Sequence, residues 1–319
     1  MNRNILVIGG GVGPAASVAF HEKIVNMTDN GTAGDQGHAS VVHISMSQFI
    51  KDRTAFIRDG GEPNPGSVMG DLVQASCKAY AKLRGDFVVG VPCNTFHSPV
   101  VFNAYQRYLQ NPRIKTVNMI ESTANYLGAN CQGKKVILLS TRGTRDTGVY
   151  HNYCQENPDF EFISCNAADD AIDSNSANDK SVAAFLKEDG EPDIAKIAEN
   201  PQGAIMAAIY GVERGIKSIV GDWEINFKIF EAVIQSIIGD DNPANYCVIM
   251  GCTEIPLAYA KAFAREARTV LGGDAYIDPM DILAANMIEK SGYGLKEEFG
   301  GLVVDQAVAS VSPYPLSKL

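Results

Sequence analysis

The chain has 319 residues, of which 45% are hydrophobic and 20% are charged, and its formal net charge is −10. This is an ordinary globular composition, with ample material for one large domain or two smaller ones. The acidic charge argues against a nucleic-acid surface and no segment has the long apolar run of a membrane helix, so we expect neither a nucleic-acid nor a membrane partner.

Apolar strand-like segments alternate with helical ones from the start of the chain. The run Ile5 to Ile8 follows the first four residues directly, so we expect a first strand and no signal peptide. The further elements predicted are a helix at 15–27, a strand at 41–44, a helix at 68–83, strands at 87–89, 136–139 and 160–164, a helix from about 204, a helix at 227–238 and a strand at 247–250. Such an alternation is typical of parallel sheets covered by helices on both faces.

A weak internal similarity divides the chain. An apolar strand followed by small residues opens each half, at 6–10 and at 137–141, and each half ends on a cysteine turn. We therefore predict an α/β protein of two similar domains, each a parallel sheet flanked by helices. The first spans 1–118 and is completed by 275–319, and the second spans 119–274. A segment rich in acidic residues near 166–200 is expected to be an insert of exposed loops with one short helix.

Cysteine usage indicates a reducing compartment. The seven cysteines are Cys77, Cys93, Cys131, Cys154, Cys165, Cys247 and Cys252. An odd number without regular spacing is typical of reduced thiols, so we expect a cytoplasmic protein. Because no Cys or His pair has metal-ligand spacing, we expect no metal site.

Two cysteines occupy matched positions in the two halves. Cys93 and Cys252 each follow an apolar strand and precede small polar residues that can cap a helix. The carboxyl ends of parallel strands are where such sheets bind ligands, and the positive end of a helix favours a thiolate. Most buried cysteines have no function, but the matched pair predicts two catalytic thiols.

Polar residues beside these thiols are candidate substrate ligands. Asn94, Thr95 and Thr253 offer hydrogen bonds next to the cysteines, and Glu254 follows directly. His97 stands about one helical turn after Cys93, and we assign it a packing or supporting role.

The glycine-rich loop at 9–13 allows two interpretations. Residues from Gly11 to Ala16 fit a G-x-G-x-x-A dinucleotide pattern. The strand at 41–44, however, ends without the acidic residue that would hold a ribose. We favour a backbone nest that holds a carboxylate or lets a substrate approach closely, with Gly11 as its ligand residue.

Arg53 and two threonines complete the candidate site. Arg53 follows the second predicted strand, where it is either solvated surface or a bidentate carboxylate clamp. Thr141 and Thr144 lie in the second half's counterpart of the glycine loop. Their hydroxyls can bind a carboxylate, although a plain strand-to-helix turn is the alternative.

Together these segments resemble the aspartate/glutamate racemase family, most closely its aspartate racemase branch. The matching pieces are Gly9-Gly10-Gly11-Val12-Gly13-Pro14, Asp52-Arg53-Thr54, Val91-Pro92-Cys93-Asn94-Thr95-Phe96-His97, Leu138-Leu139-Ser140-Thr141-Arg142-Gly143-Thr144, Ala208-Ile209-Tyr210 and Gly251-Cys252-Thr253-Glu254. The resemblance implies two α/β domains with the active site in the cleft between them, no cofactor, and a homodimer. It also implies that Cys93 and Cys252 exchange thiolate and thiol roles and that Arg53 holds a substrate carboxylate.

One position departs from the aspartate branch. There a lysine follows the Ile-Tyr segment and binds the side-chain carboxylate of the substrate, whereas the best register here places Glu213 at that position. A shift of one residue would place Arg214 there instead. The other arginines that could compensate are Arg53, Arg142 and Arg145. With Glu213 in the site, the substrate could differ from aspartate.

The leading hypothesis is a cofactor-independent amino-acid racemase that acts on aspartate or glutamate by proton transfer between two cysteines. An isomerase or decarboxylase of a dicarboxylic acid on the same fold is the first alternative. A ligand-binding protein without turnover and a nicotinamide-dependent oxidoreductase are the others.

Overall fold

The computed structural model describes residues 3–155, 157–164, 181–218 and 221–304. The part of the acidic insert at 166–180 and the tail beyond 304 lie outside these residues. The chain forms two compact units. Of the described residues, the first unit contains those up to 132, those at 147–158 and those from Pro279, and the second contains those at 133–146 and 159–278.

The strands form two four-stranded sheets and one short ribbon. Within the described residues they are β1 (Ile5–Gly10), β2 (Thr28–Asp29), β3 (Val41–Ser45), β4 (Phe87–Gly90), β5 (Ile114–Val117), β6 (Lys135–Ser140), β7 (Glu161–Ser164), β8 (Tyr246–Gly251), β9 (Tyr276–Ile277) and β10 (Gly294–Leu295). The first unit holds the sheet β3-β1-β4-β5 and the second holds β7-β6-β8-β9, and both are parallel throughout. The pair β2–β10 is antiparallel.

Both sheets follow the same strand order. In each, the strand that comes first in the chain lies between the second and the third, so that β1 is flanked by β3 and β4, and β6 by β7 and β8. All six residues of β1 and of β8 are buried, as expected for strands covered on both faces. The predicted fold class, parallel sheets flanked by helices, is confirmed.

Helices connect the strands of each sheet. The described α-helices are α1 (Pro14–Met27), α2 (Arg53–Asp59), α3 (Pro65–Ala79), α4 (Pro99–Tyr108), α5 (Met119–Asn130), α6 (Arg142–Asp146), α7 (His151–Cys154), α8 (Ile194–Glu199), α9 (Pro201–Tyr210), α10 (Trp223–Ile238), α11 (Ile255–Phe263) and α12 (Pro279–Lys290). Several begin with proline in the first turn, where its missing N–H has no cost. None of the described helices is long and apolar enough to span a membrane.

A buried carboxylate anchors α11 in the second unit. Glu231 on α10 accepts hydrogen bonds from the hydroxyl of Tyr259 (2.6 Å), from the hydroxyl of Tyr276 (2.9 Å) and from the amide of Val270 (2.5 Å). Burial raises the pKa of Glu231, although these hydrogen bonds act in the opposite direction. Because α11 begins three residues after Cys252, this network fixes the helix near that cysteine.

Helices α3 and α4 pack closely enough to require glycine. A Cβ on Gly66 would lie 1.9 Å from the carbonyl oxygen of Val101. On helix propensity alone, Gly66→Ala would stabilise the helix by up to about 1 kcal/mol. We expect instead a loss of about 1–3 kcal/mol because the backbone of α4 must shift, measured by urea unfolding.

Gly272→Ala is the matched control for this prediction. Apart from Gly272 itself and its two chain neighbours, no described residue has an atom within 4 Å of the position of this Cβ, and the φ of Gly272, −64°, suits alanine. Its free energy of unfolding is expected to stay within about 0.5 kcal/mol of the wild type. Equal stabilities of the two variants would contradict the close packing of α3 on α4.

Candidate active site

The first unit places its candidate residues at the carboxyl edge of its sheet. Ile8 of β1 pairs with Gly90 of β4, so the loops that follow these strands leave the sheet side by side. The chain crosses to β3 on one side of β1 and to β4 on the other, which makes this the topological switch point where parallel sheets bind ligands. Gly11 and Cys93 lie in these two loops.

Cys93 is a buried free thiol in the loop after β4, and its side chain packs in the core of the first unit. Thr95 begins a turn of 3₁₀ helix, Thr95–His97, and both Asn94 and Thr95 are buried. The sequence predicted that the small polar residues after Cys93 cap a helix. Asn94 stands at the start of the 3₁₀ turn but makes no side-chain cap, and this turn and Ser98 separate Cys93 from Pro99, the first residue of α4.

His97 supports the loop that carries Cys93. Its Nδ1 lies 2.9 Å from the carbonyl oxygen of Cys93, and its Nε2 accepts a hydrogen bond of 3.4 Å from the amide of Met119. Because Nε2 is an acceptor, the proton of the neutral ring is on Nδ1, which donates to Cys93. Burial lowers the pKa of His97 to about 4, so the ring stays neutral near pH 7. The predicted supporting role fits these contacts.

The amide side chain of Asn94 is bonded at one end. Its Oδ1 accepts a hydrogen bond of 2.6 Å from the hydroxyl of Tyr150. Its Nδ2 is buried and has no hydrogen-bond partner in the part of the chain that the structure describes. A buried N–H group without a partner is rare, so the site holds a donor available to a ligand.

The glycine loop packs against its own chain. A Cβ on Gly11, whose φ is +79°, would lie 2.7 Å from the amide of Met46, and the Gly11 amide lies 3.4 Å from Ser17 Oγ. A Cβ on Gly10 would lie 2.6 Å from the carbonyl oxygen of Ile44. These glycines therefore allow the loop after β1 to lie close to the end of β3.

Arg53 is buried rather than exposed. It is the first residue of α2, which is capped by Asp52, whose Oδ1 accepts a hydrogen bond of 2.8 Å from Ala55 N. Its guanidinium donates to the carbonyl oxygens of Val12 and Lys51. Arg53 therefore lies in a short helix, and its hydrogen bond to Val12 joins this helix to the glycine loop. The structure brings Gly11, Arg53, Cys93, Asn94 and Thr95 together at one edge of the sheet.

The second unit repeats this arrangement. Ser140 of β6 pairs with Gly251 of β8, so Thr141 and Cys252 follow at the same edge. Thr141 and Thr144 are buried, their hydroxyl oxygens are 3.4 Å apart, and Thr144 N donates to Thr141 Oγ1. The two threonines thus form the turn that begins α6.

Cys252 is a buried free thiol with a charged neighbour. Its Sγ donates to Glu254 Oε2 at 3.0 Å, and Thr253 Oγ1 donates to the same oxygen at 3.2 Å. The ammonium of Lys217 lies 3.3 Å from Glu254 Oε1. Glu254, not Thr253 as predicted, is the residue at the start of α11, and it makes no side-chain cap.

The electrostatics of Cys252 differ from the prediction. Burial, with the adjacent carboxylate of Glu254, raises its pKa well above the ordinary value, and Lys217 only partly offsets this. Burial also acts to raise the pKa of Glu254, but Lys217 and the hydrogen bonds outweigh it and lower that pKa. The resting site therefore contains a protonated thiol beside an ionised carboxylate, and the start of α11 does not produce a thiolate.

Lys217 supplies a cation that the sequence register missed. Its ammonium lies 4.5 Å from the centre of the Tyr210 ring, as well as beside Glu254. Glu213, which the register placed in the site, has an exposed side chain. Arg214, its alternative, is paired with Asp222 at 2.5 Å.

A comparison with known families agrees with this geometry. Residues 10–200 match the Asp/Glu/hydantoin racemase family. The chain belongs to this family. Among solved structures, the aspartate racemase of Picrophilus torridus is 21% identical with a TM-score of 0.61, over 95% of this chain and all of that one. An aspartate racemase homologue from Pyrococcus horikoshii OT3 is 19% identical with a TM-score of 0.53, over 91% and 99% of the two chains. A search of curated protein sequences returned no match.

Membership in the Asp/Glu/hydantoin racemase family supports an isomerase that acts on a small molecule, and the two structures support the fold. The described residues contain no group of three His, Cys, Asp or Glu side chains placed to bind a metal ion. A cavity of about 360 Å³ lies among Arg3, Val41 and Tyr80, at the amino edge of the first sheet. Since the candidate site residues of this unit lie at the carboxyl edge of the sheet, this cavity is not part of the candidate active site.

Sequence reasoning missed Tyr150 and Lys217. Tyr150 directly precedes α7, and none of the motifs found in the sequence includes it. Lys217 lies in the turn after α9, seven residues beyond Tyr210. Its position in the sequence after the Ile-Tyr segment is the only signal that could have identified it.

Titration of His97 tests the neutral ring. Since its pKa is about 4 in the folded chain and about 6.5 in the unfolded one, the unfolded state alone binds the proton as the pH falls below 6.5. Protonation of His97 in the unfolded state therefore lowers the free energy of unfolding as the pH falls from about 6.5 to about 4, by about 2 kcal/mol at pH 5. We expect ¹⁵N NMR to show protonated Nδ1 and no titration of His97 above pH 5. A midpoint near 6.5 would contradict the assignment.

Proposed function

We propose that this chain is a cofactor-independent amino-acid racemase that acts on aspartate or glutamate. One observation carries the proposal: Cys93 and Cys252 each follow the third strand of a sheet with the same strand order. Racemisation removes the α-proton from one face of the carbon and returns a proton to the other, so it requires two acid/base groups. A matched pair of buried thiols in a member of a racemase family meets this requirement.

Thiols suit this chemistry because their unperturbed pKa of about 8.5 is within reach of neutral pH. Cys252 is protonated at rest because of its burial and the adjacent Glu254. We infer that it starts as the proton donor and that Cys93 removes the first proton. The roles exchange for the opposite enantiomer, and Lys217 then helps Cys252 to ionise because its positive charge lowers the pKa of that thiol.

The carbanion needs stabilisation because the α-proton of an amino acid is a very weak acid. Hydrogen-bond donors aimed at the developing charge on the carboxylate supply it. Asn94 is the best-supported donor, since its Nδ2 is buried without a partner in the described part of the chain. Thr95, Thr141, Thr144, Thr253 and the backbone at Gly11 are the further candidate ligands.

The two charged groups beside Cys252 have separate roles in this proposal. Lys217 supplies the positive charge for a side-chain carboxylate, so Glu213 does not argue against an acidic substrate. Glu254 acts on Cys252 instead, because its Oε2 accepts a hydrogen bond from the thiol. Arg53 is also proposed to bind a substrate carboxylate. Its hydrogen bond to the carbonyl oxygen of Val12 supports this role, because it holds Arg53 beside the glycine loop.

Exchange of the α-proton tests the reaction. The protein is incubated in D₂O, without cofactor, with L-aspartate, L-glutamate and a panel of neutral amino acids. NMR should detect deuterium at the α-carbon of aspartate or glutamate, together with the D-isomer. Cys93→Ser and Cys252→Ser should each lower kcat by about 10²–10⁴-fold, the usual contribution of a general acid or base.

Cys77→Ser is the matched control for the thiols, because Cys77 is a buried free cysteine on α3. It should retain wild-type activity if it folds. Full activity in either site variant would contradict the two-thiol mechanism. A covalent adduct with a dicarboxylic acid would favour the isomerase or decarboxylase alternative.

Lys217→Gln tests the substrate cation. We expect kcat/KM for the acidic substrate to fall by about 10- to 100-fold, the effect of losing one charged hydrogen bond. The rise of activity with pH should also move to higher pH, because the pKa values of both Glu254 and Cys252 rise without the cation.

Lys228→Gln is the control for Lys217, since Lys228 pairs with Glu191 on an exposed part of α10. It should leave both the rate and the pH profile unchanged. An unaltered profile in Lys217→Gln would exclude the proposed effect on Cys252.

A further inference from the structure

The two ends of the Asn94 amide differ in a way that points to a ligand. Asn94 is only 2% exposed, and its Oδ1 is bonded to Tyr150. Its Nδ2 has no partner among the described residues. A protein that buries an N–H group without a partner loses the hydrogen bonds that water would make to it. Binding of an anion at Nδ2 would restore them.

Tyr150 is held in place by the fold. Its side chain is fully buried, and its carbonyl oxygen accepts hydrogen bonds from Tyr153 N (3.1 Å) and Cys154 N (2.9 Å) at the start of α7. Helix α7 contacts α5, the helix after the last strand of the first sheet. The segment 147–158 follows α6 of the second unit in the chain but packs in the first. The hydroxyl of Tyr150 therefore has a fixed position beside Asn94.

The direction of the hydrogen bond decides what Asn94 offers to a ligand. An asparagine amide can turn by 180° and exchange its oxygen and nitrogen, since both ends form hydrogen bonds. When the phenol donates to Oδ1, the N–H₂ group is left for the ligand. In the opposite orientation, the ligand would meet an oxygen, which repels a carboxylate.

We propose that Tyr150 is a positioning residue whose hydroxyl donates to Oδ1 of Asn94 and so presents the Asn94 N–H₂ to the substrate carboxylate. This inference rests on the proposed function, from which it takes the carboxylate substrate. As the α-proton leaves, negative charge grows on that carboxylate. The hydrogen bond from Nδ2 then strengthens in the transition state, and its correct orientation affects kcat more than KM.

Tyr150→Phe removes only the hydroxyl. We expect kcat to fall on the order of 10-fold, less than the 10²–10³-fold effect of deleting such a donor itself, while KM changes less than about 2-fold, the pattern of an interaction made in the transition state. Tyr105→Phe is the matched control, since Tyr105 is also fully buried in the first unit and its hydroxyl lies 3.3 Å from Thr116 Oγ1. It should leave kcat and KM unchanged. Equal kinetics in Tyr150→Phe and the wild type would overturn the inference.

A double-mutant cycle separates positioning from a general structural effect. If Tyr150 acts through Asn94, the double variant Asn94→Ala with Tyr150→Phe should be no slower than Asn94→Ala alone. Multiplied losses would show that Tyr150 acts independently and would contradict the proposal.

A second variant covers the case in which Tyr150→Phe does not fold. Replacement of Tyr150 by 3-fluorotyrosine keeps the ring and makes the hydroxyl a stronger donor and a weaker acceptor. Activity should be kept or increased if the hydroxyl donates to Oδ1. A fall in kcat would indicate that it accepts from Nδ2, and the inference would be wrong.

NMR of the Asn94 side-chain amide distinguishes a failure of this inference from a failure of the proposed function. If the wild type exchanges no α-proton, the racemase proposal fails, and L-aspartate is titrated as a carboxylate probe. The inference then predicts a shift of the Asn94 N–H₂ signals in the wild type and a smaller shift at saturation in the Tyr150 variant, in which the amide is no longer held in one orientation. No shift in the wild type, or the same shift in both, would overturn it.

Discussion

The parallel pairing of the first strand with the third in each unit is the constraint on which the candidate site depends. Because Ile8 pairs with Gly90, and Ser140 with Gly251, the loops after these strands leave the same edge of each sheet. The strand order gives each edge a switch point, where the backbone is not covered by a crossing connection. Short side chains and glycines then bring polar groups to this edge, while the apolar strands behind it hold the loops in place. Sheet topology therefore fixes where the candidate residues lie, and their side chains then determine the chemistry.

The two edges share a topology but differ in electrostatics. The loop of Cys93 is supported by a neutral imidazole, because burial lowers the pKa of His97 to about 4. The loop of Cys252 instead contains the ion pair of Glu254 with Lys217. A buried carboxylate without its cation would be strongly destabilising, so Lys217 both stabilises this part of the fold and moderates the negative potential at the thiol. Two similar folds can thus place one thiol beside a charged pair and support the loop of the other thiol through a neutral ring, so the two thiols have different surroundings.

Much of the fold could be predicted from the sequence, and less of the site. Continuous apolar runs indicated β1, β4, β6 and β8, because strands buried on both faces leave this pattern. The ribbon β2–β10 was missed, since two-residue strands have no period. The turn between Cys93 and α4 could have been read from Ser98-Pro99, a common start of a helix. The raised pKa of Cys252 could be read only in part from local sequence, because Glu254 is two residues away but the largest cause is burial, which depends on the tertiary fold. Tyr150 was missed for the same reason: its partner Asn94 is 56 positions away.

An enzyme that forms a carbanion without an electron-withdrawing cofactor needs hydrogen-bond donors that are already in position, because reorientation during the reaction would consume the stabilisation. A donor held in position for a ligand is, in the empty protein, a donor without a partner, and Nδ2 of Asn94 has this property among the described residues. Such a group lowers the stability of the fold, and a fold selected for stability alone would have filled the space with an apolar side chain. The persistence of this amide, with its oxygen held by Tyr150 at 2.6 Å, is therefore better explained by substrate binding than by packing.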